Sequence, residues 1–126
     1  MAEGHDYWVY IMSNKTRSTL YIGVTSDLLV RVAKHRRGEI PGFTRDYHCT
    51  NLVYCSHFRD IRDAIAWEKQ LKSWRRSKKN ALVERGNPRW KDLRRRLVLK
   101  HFKNNSQVLR LRFALRNSAQ DDSIRI

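Results

Sequence analysis

Two short runs near the start of the chain constrain its fold more than any other feature. Tyr7 to Met12 and Leu20 to Val24 are rich in aromatic and β-branched residues and too short to be helices. Between them lies the polar, turn-forming stretch Ser13-Asn14-Lys15-Thr16-Arg17-Ser18. Runs of this kind bounded by turn residues read as strands, and such a pair reads as an antiparallel hairpin. The hairpin brings Tyr10 and Tyr21 together although eleven positions separate them in sequence.

Thr25-Ser26-Asp27 supplies N-cap side chains for a helix from about Leu28 to Arg37, and Gly38 is its natural stop. Arg31 and His35 lie at i and i+4 on that helix, so they share a face beside the apolar stripe of Leu28 and Val32. Glu39 to Thr50, interrupted by Pro41-Gly42, reads as a loop carrying Phe43, Arg45, Tyr47 and His48. Asn51 to Phe58 reads as a third strand.

From Asp60 to about Trp74 the apolar period becomes helical, with Ile61, Ala64, Ile65, Glu68 and Leu71 three and four residues apart. Glu68 is the anomaly on that stripe. A carboxylate turned toward a core costs free energy unless a cation or several donors meet it. The structural explanation is an ion pair with Arg31 or a bond to a tyrosine hydroxyl; the functional one is a metal ligand.

A basic stretch from Trp74 to Lys79 leads into a short helix through Ala81-Leu82-Val83-Glu84, ended by Gly86-Asn87-Pro88. Trp90 and Leu93 are expected to pack back on the sheet. The pattern predicts an α/β (α+β) domain over residues 5–93 and a basic tail over 94–126. The tail has room for a short helix or strand around its scattered apolar residues, and residues 118–126 are expected to be disordered.

Charge narrows the partners. Lys plus Arg number 27 against 12 Asp plus Glu, a formal net charge of +15, which favours polyanions and says nothing about fold. No run is apolar enough to span a membrane, and Glu3, His5 and Asp6 interrupt any signal-peptide pattern at the start. The expectation is therefore a cytoplasmic protein with a nucleic-acid partner and no membrane. Cys49 and Cys55, with His48 and His57, match no common zinc spacing and read as free thiols.

Two phenols, a guanidinium, an imidazole and one inward carboxylate are the parts needed to hydrolyse a phosphodiester. Glu68 can hold a hard divalent ion, which favours carboxylate oxygen and keeps several waters. Arg31 suits the non-bridging phosphate oxygens better than a lysine does. Tyr10 and Tyr21 can orient the water, and one can take its proton if its phenol is made acidic enough. His35 is the alternative acceptor, because imidazole titrates near working pH. Arg75, Arg76, Lys78 and Lys79 are candidates for contacting the nucleic-acid backbone.

Tyr10, Tyr21-Ile22-Gly23, Arg31, His35 and Glu68 resemble the catalytic set of GIY-YIG endonucleases. More narrowly, the chain resembles small stand-alone bacterial members akin to the nuclease domain of the UvrC repair subunit. Further matches are Pro41-Gly42-Phe43-Thr44, Ala66-Trp67-Glu68-Lys69-Gln70-Leu71-Lys72, Trp74-Arg75-Arg76, Lys78-Lys79 and Asn87-Pro88-x-Trp90, so the likeness spans residues 6 to 93. The resemblance implies a central three-stranded antiparallel sheet flanked by helices, and DNA hydrolysis with one Mg²⁺ or Mn²⁺ ion. It implies Tyr10 as general base, Tyr21 positioning water or phosphate, Arg31 on the phosphate and Glu68 on the metal.

Three departures accompany it. Trp8 and Val9 replace the Gly and Ile of the first motif, Val24 stands where the UvrC-like domain has a lysine, and both Asn80 and Asn87 compete for the late asparagine. Two other functions fit the same residues. One is a nucleic-acid-binding module without turnover. The other is a subunit that cuts only when a protein partner presents the DNA, with Trp67 and Trp74 as contact sites unless they pack in the core.

Overall fold

Val9, Tyr10, Ile11 and Met12 are successive and all buried, which a strand achieves only when both faces of its sheet are covered. The computed structural model, which describes residues 6–40 and 47–101, places them in the central strand. β1 (Tyr7–Ser13) lies between β2 (Leu20–Thr25) and β3 (Asn51–Phe58), antiparallel to both. The fold is a small α+β domain with the expected three-stranded antiparallel sheet and flanking helices.

The pleat sends alternate residues to opposite faces. Val9 and Ile11 join Ile22, Val53, Ala64, Leu71, Val83 and Trp90 on one side. Tyr10 and Met12 join Leu28, Val32, Cys49 and Leu52 on the other. Helix α1 (Leu28–Arg36) covers the tyrosine face, its start capped by the Asp27 carboxylate, which accepts from Val30 N. Arg37 caps its end, and the chain turns away at Gly38, whose φ of 72° lies in the left-handed region that glycine enters without strain.

Helices α2 (Ile61–Ser73) and α3 (Arg76–Gly86) belong to the opposite side. Two expectations are corrected here. Ile65 is 39 % exposed, and Trp67 takes the inward position instead, T-shaped against Trp74 at 5.5 Å and donating its indole N–H to the Tyr54 hydroxyl. An indole can bury its area and still satisfy its one polar atom. Secondly, the basic run does not precede a short helix; Arg76, Lys78 and Lys79 form the first turns of α3. That helix tolerates them because Arg and Lys are good helix formers.

β3 carries a bulge: Ile11 pairs with Tyr54 but Met12 with Leu52, leaving Val53 as the extra residue. Its carbonyl accepts from Asn87 Nδ2 at 3.2 Å. The same amide also donates to Lys91 O and accepts from Lys91 N. Asn87 is thus a buried bracket that satisfies the backbone the bulge leaves unpaired. Trp90 packs on the α2–α3 side, whereas Leu93 packs on the α1 side and donates its backbone N–H to Leu52 O.

The segment read as a basic tail opens with helix α4 (Arg94–His101), and Leu97 packs against the tyrosine-face cluster. His5, Pro41-Gly42-Phe43-Thr44, Arg45 and residues 102–126 lie outside the described residues. Among the described residues no helix is long and apolar enough to cross a membrane.

Candidate functional site

The register sets the site. Tyr10 stands directly opposite Gly23 on β2, and Met12 opposite Tyr21. A Cβ at position 23 would lie 2.6 Å from Tyr10 Oη and 2.8 Å from its Cζ. The Tyr10 ring therefore lies across β2 in the space that the missing side chain leaves. Gly23 is needed here for room, since its backbone has no positive φ.

His35 comes from α1 and meets the same ring. Its Nε2 is 2.9 Å from Tyr10 Oη, and both residues are almost wholly buried. Tyr21, half-buried, completes the group, with ring centroids 6.2 Å from Tyr10 and 5.2 Å from His35. Tyr10 also hydrogen-bonds to Tyr21, so its single hydroxyl proton can serve the imidazole or the second phenol.

Burial pushes the Tyr10 phenol well above its ordinary value of 10. Tyr21 and Glu68 add to that rise, while the Arg31 guanidinium opposes it. Burial, and after it the charge of Arg31, lowers His35 to about 4. The pair is accordingly neutral near pH 7: a protonated phenol against an uncharged imidazole. His35 Nδ1 is buried and has no hydrogen-bond partner.

Arg31 lies one turn before His35 and makes no side-chain hydrogen bond or ion pair among the described residues. Glu68 is turned inward, its side chain only 16 % exposed. Neither structural explanation offered for it holds. Its partner is Lys72, whose Nζ is 2.5 Å from Glu68 Oε2. The spacing of four on α2 was the sequence signal for that pair. The structure thus gathers Tyr10, Tyr21 and His35 in contact, with Arg31 and Glu68 acting electrostatically on the same phenol.

The four basic candidates behave differently from one another. Arg76 donates to Arg17 O, Ser18 O and Asn80 Oδ1, so its guanidinium ties α3 to the β1–β2 loop. Arg17 in turn donates to Arg89 O and lies over the Trp90 ring. The ammonium of Lys78 sits over the Trp74 ring at 4.2 Å. Arg75 is exposed and Lys79 half-buried, and neither side chain makes a hydrogen bond or ion pair among the described residues. Asn87 is committed to the bulge, and Asn80 accepts from Arg76.

No cluster of three or more His, Cys, Asp or Glu side chains forms among the described residues. Cys49 is buried, with its thiol pushed up to about 11. A groove of about 430 Å³ between β3 and α3 is lined by Val53, Leu82, Val83, Asn87 and Leu93 among others, and by none of the five catalytic candidates. Its lining is mostly apolar, with Arg85 as its one charged side chain, and it holds no carboxylate. The chemistry is concentrated around Tyr10 instead.

Residues 6–81 match the family model described as the GIY-YIG catalytic domain. Among curated relatives, a UPF0213 protein of Bacillus pumilus is 33% identical over 82 residues, covering 65% of this chain and 83% of its own length. A UPF0213 protein of Natronomonas pharaonis is 37% identical over 78 residues, covering 62% and 91%. The solution NMR structure of a UPF0213 protein from Bacillus halodurans aligns with a TM-score of 0.46 at 30% identity, covering 69% of this chain and 92% of that one.

Proposed function

From the premise that this chain belongs to the GIY-YIG catalytic domain family, a nuclease-type family, we propose that it is a metal-dependent endonuclease that hydrolyses DNA phosphodiesters. One observation carries the reading. His35 Nε2 and Tyr21 both hydrogen-bond to the Tyr10 hydroxyl, while Arg31 and Glu68 act on it through their charges. Ordinary core packing gives no reason to group two phenols and an imidazole at one buried oxygen within the field of a guanidinium and an inward carboxylate.

The donor set suits a hard divalent ion such as Mg²⁺ or Mn²⁺. Glu68 offers one carboxylate, and its present partner is a lysine that is 56 % exposed and can withdraw. A single oxygen ligand leaves most of a hydration shell in place, as such ions prefer. Bound at Glu68, the ion supplies Lewis-acid stabilisation of the charge that develops on the phosphate.

The chain's own residues handle the proton. Tyr10 is too deeply buried and too weakly acidic to stand as a phenolate, so it works as a relay. Tyr21 is the phenol accessible to solvent, and it takes the proton of the attacking water as it passes its own to Tyr10. Tyr10 hands its proton to His35 Nε2. Arg31 neutralises the phosphate, and a bound phosphate in turn offsets the charge that helps to depress His35, which eases formation of the imidazolium. Arg75, Lys78 and Lys79 provide sequence-independent backbone contacts; Arg76 is a structural bracket for the loop beside them.

The test is cleavage of supercoiled plasmid and labelled branched DNA with Mg²⁺ or Mn²⁺. Glu68→Ala and Tyr10→Phe are expected to abolish metal-dependent nicking while DNA binding survives. DNA binding without cleavage by the wild type overturns the autonomous-enzyme reading on those substrates. It favours instead a binding module, or a subunit that needs a protein partner to present its DNA.

A further inference from the structure

Lys72 is not an ordinary surface partner for Glu68. Most Glu–Lys pairs four residues apart on a helix join two solvated groups and contribute little. Here the pair is asymmetric: the Glu68 side chain is 16 % exposed and the Lys72 side chain 56 %. The Glu68 side chain is mostly withdrawn from water, where a carboxylate needs a counter-ion, whereas the lysine reaches in from solvent on a flexible stem. Arg31, the other cation acting on the cluster, makes no ion pair with Glu68 among the described residues.

The ammonium also stands where a metal would have to stand. Nζ lies 2.5 Å from Oε2, and a small divalent ion needs a carboxylate oxygen at roughly 2.1 Å. Two cations cannot share that approach without strong repulsion. Because Lys72 is mostly exposed, it can swing into water without repacking the core.

We propose that Lys72 is a built-in, displaceable counter-ion that competes with the divalent cation for Glu68 and so sets the metal concentration at which the site loads. This rests on the reading of Glu68 as the metal ligand. Before loading, Lys72 neutralises the inward carboxylate and keeps that stretch of α2 seated. On loading it is released on the solvent side of the helix. Lys72 is therefore a positioning residue, acting through Glu68.

Mn²⁺ binding to the full chain at pH 7.5, followed by calorimetry and by the EPR signal of free Mn²⁺, tests this without reference to cleavage. Wild type is compared with Lys72→Met, Lys72→Arg, Glu68→Gln and Lys69→Met. The last removes the same charge from the same helix at a residue that makes no ion pair with Glu68 among the described residues. Lys72→Met is expected to tighten Mn²⁺ binding by roughly three- to tenfold, the range for losing one partly screened competing charge. Lys72→Arg should stay near wild type, and Lys69→Met should shift affinity by less than about twofold.

Equal effects of Lys72→Met and Lys69→Met overturn the proposal, as does weaker binding in Lys72→Met. If Mn²⁺ binding to the wild type is absent, or is unaffected by Glu68→Gln, the metal reading of Glu68 fails and the proposal falls with it. Thermal melts without metal verify that every variant is folded before its affinity is compared.

Discussion

Replacing Gly23 with alanine separates the two physical roles a glycine can have in a strand. Gly23 has no positive φ, so backbone strain does not require it. On backbone grounds alone Gly→Ala at a compatible position stabilises by about 0.4–1 kcal/mol, because the unfolded chain loses freedom. The structure reverses that sign. The new methyl would meet Tyr10 Oη at 2.6 Å, Cζ at 2.8 Å and Cε1 at 3.0 Å, where ordinary contact begins near 3.4 Å. The hydroxyl must retreat by about 0.8 Å, the difference between 3.4 and 2.6, at the low end of the spacing that non-bonded atoms prefer.

Tyr10 is 1 % exposed and tied to His35, so that movement is resisted on all sides. Overpacking of this kind costs about 1–3 kcal/mol, and disturbing the buried bond costs about 1 kcal/mol more. After subtracting the backbone gain, the net is a destabilisation of about 2 kcal/mol, or a Tm lower by roughly 8–16 °C in a domain of this size. The assay is calorimetric or denaturant unfolding of wild type, Gly23→Ala, Tyr10→Phe and the double variant. Tyr10→Phe deletes the atom with the shortest contact but leaves the ring-carbon contacts, so the double variant should lose less than the sum of the singles. A Gly23→Ala protein as stable as wild type or more so refutes the placement of the Tyr10 ring over β2 and the site built on it.

Three other outcomes follow from the same geometry. His35 titrates near 4 in the folded protein and near 6.5 when unfolded, so between those values the unfolded chain binds more protons. Stability should therefore fall as pH drops from about 6.5 to 4, by at most about 3 kcal/mol, and level off below that; unfolding of wild type against His35→Gln across this range isolates the slope. Asn87→Ala should cost about 1–3 kcal/mol, because it strands the buried Val53 carbonyl and removes the two bonds that hold the exposed Lys91 backbone; hydrogen exchange should rise first around β3. Arg75→Ala should reduce the salt dependence of DNA binding by about one phosphate contact, whereas Arg76→Ala should loosen the β1–β2 loop through its bonds to Arg17 and Ser18, which measurements of loop hydrogen exchange and binding at several salt concentrations distinguish.

The elements themselves were legible in the chain because each rests on local rules. The aromatic and β-branched run of Tyr7 to Met12, the Asp27 cap, the Gly38 stop and the helical period after Asp60 need no distant partner to be read. The grouping of Tyr10, Tyr21 and His35 was legible for the same reason, since one turn of helix and opposition across a hairpin are local geometry.

What the tertiary structure decided lies in the third dimension of those patterns. Ile65 and Trp67 both fit a helical stripe, and only the position of Tyr54 and Trp74 selects the tryptophan. Arg76 and Arg75 are neighbours of identical chemistry, yet it is Arg76 that donates to the loop carbonyls of Arg17 and Ser18. Glu68 reads as a lone inward carboxylate until Lys72 is seen beside it. The sequence by itself determined the strands, the helices and the kinds of chemistry present. Packing determined which charge is free and which phenol meets water. It also determined which glycine must stay empty, because burial and partner distance are properties of the assembled core and of no segment alone.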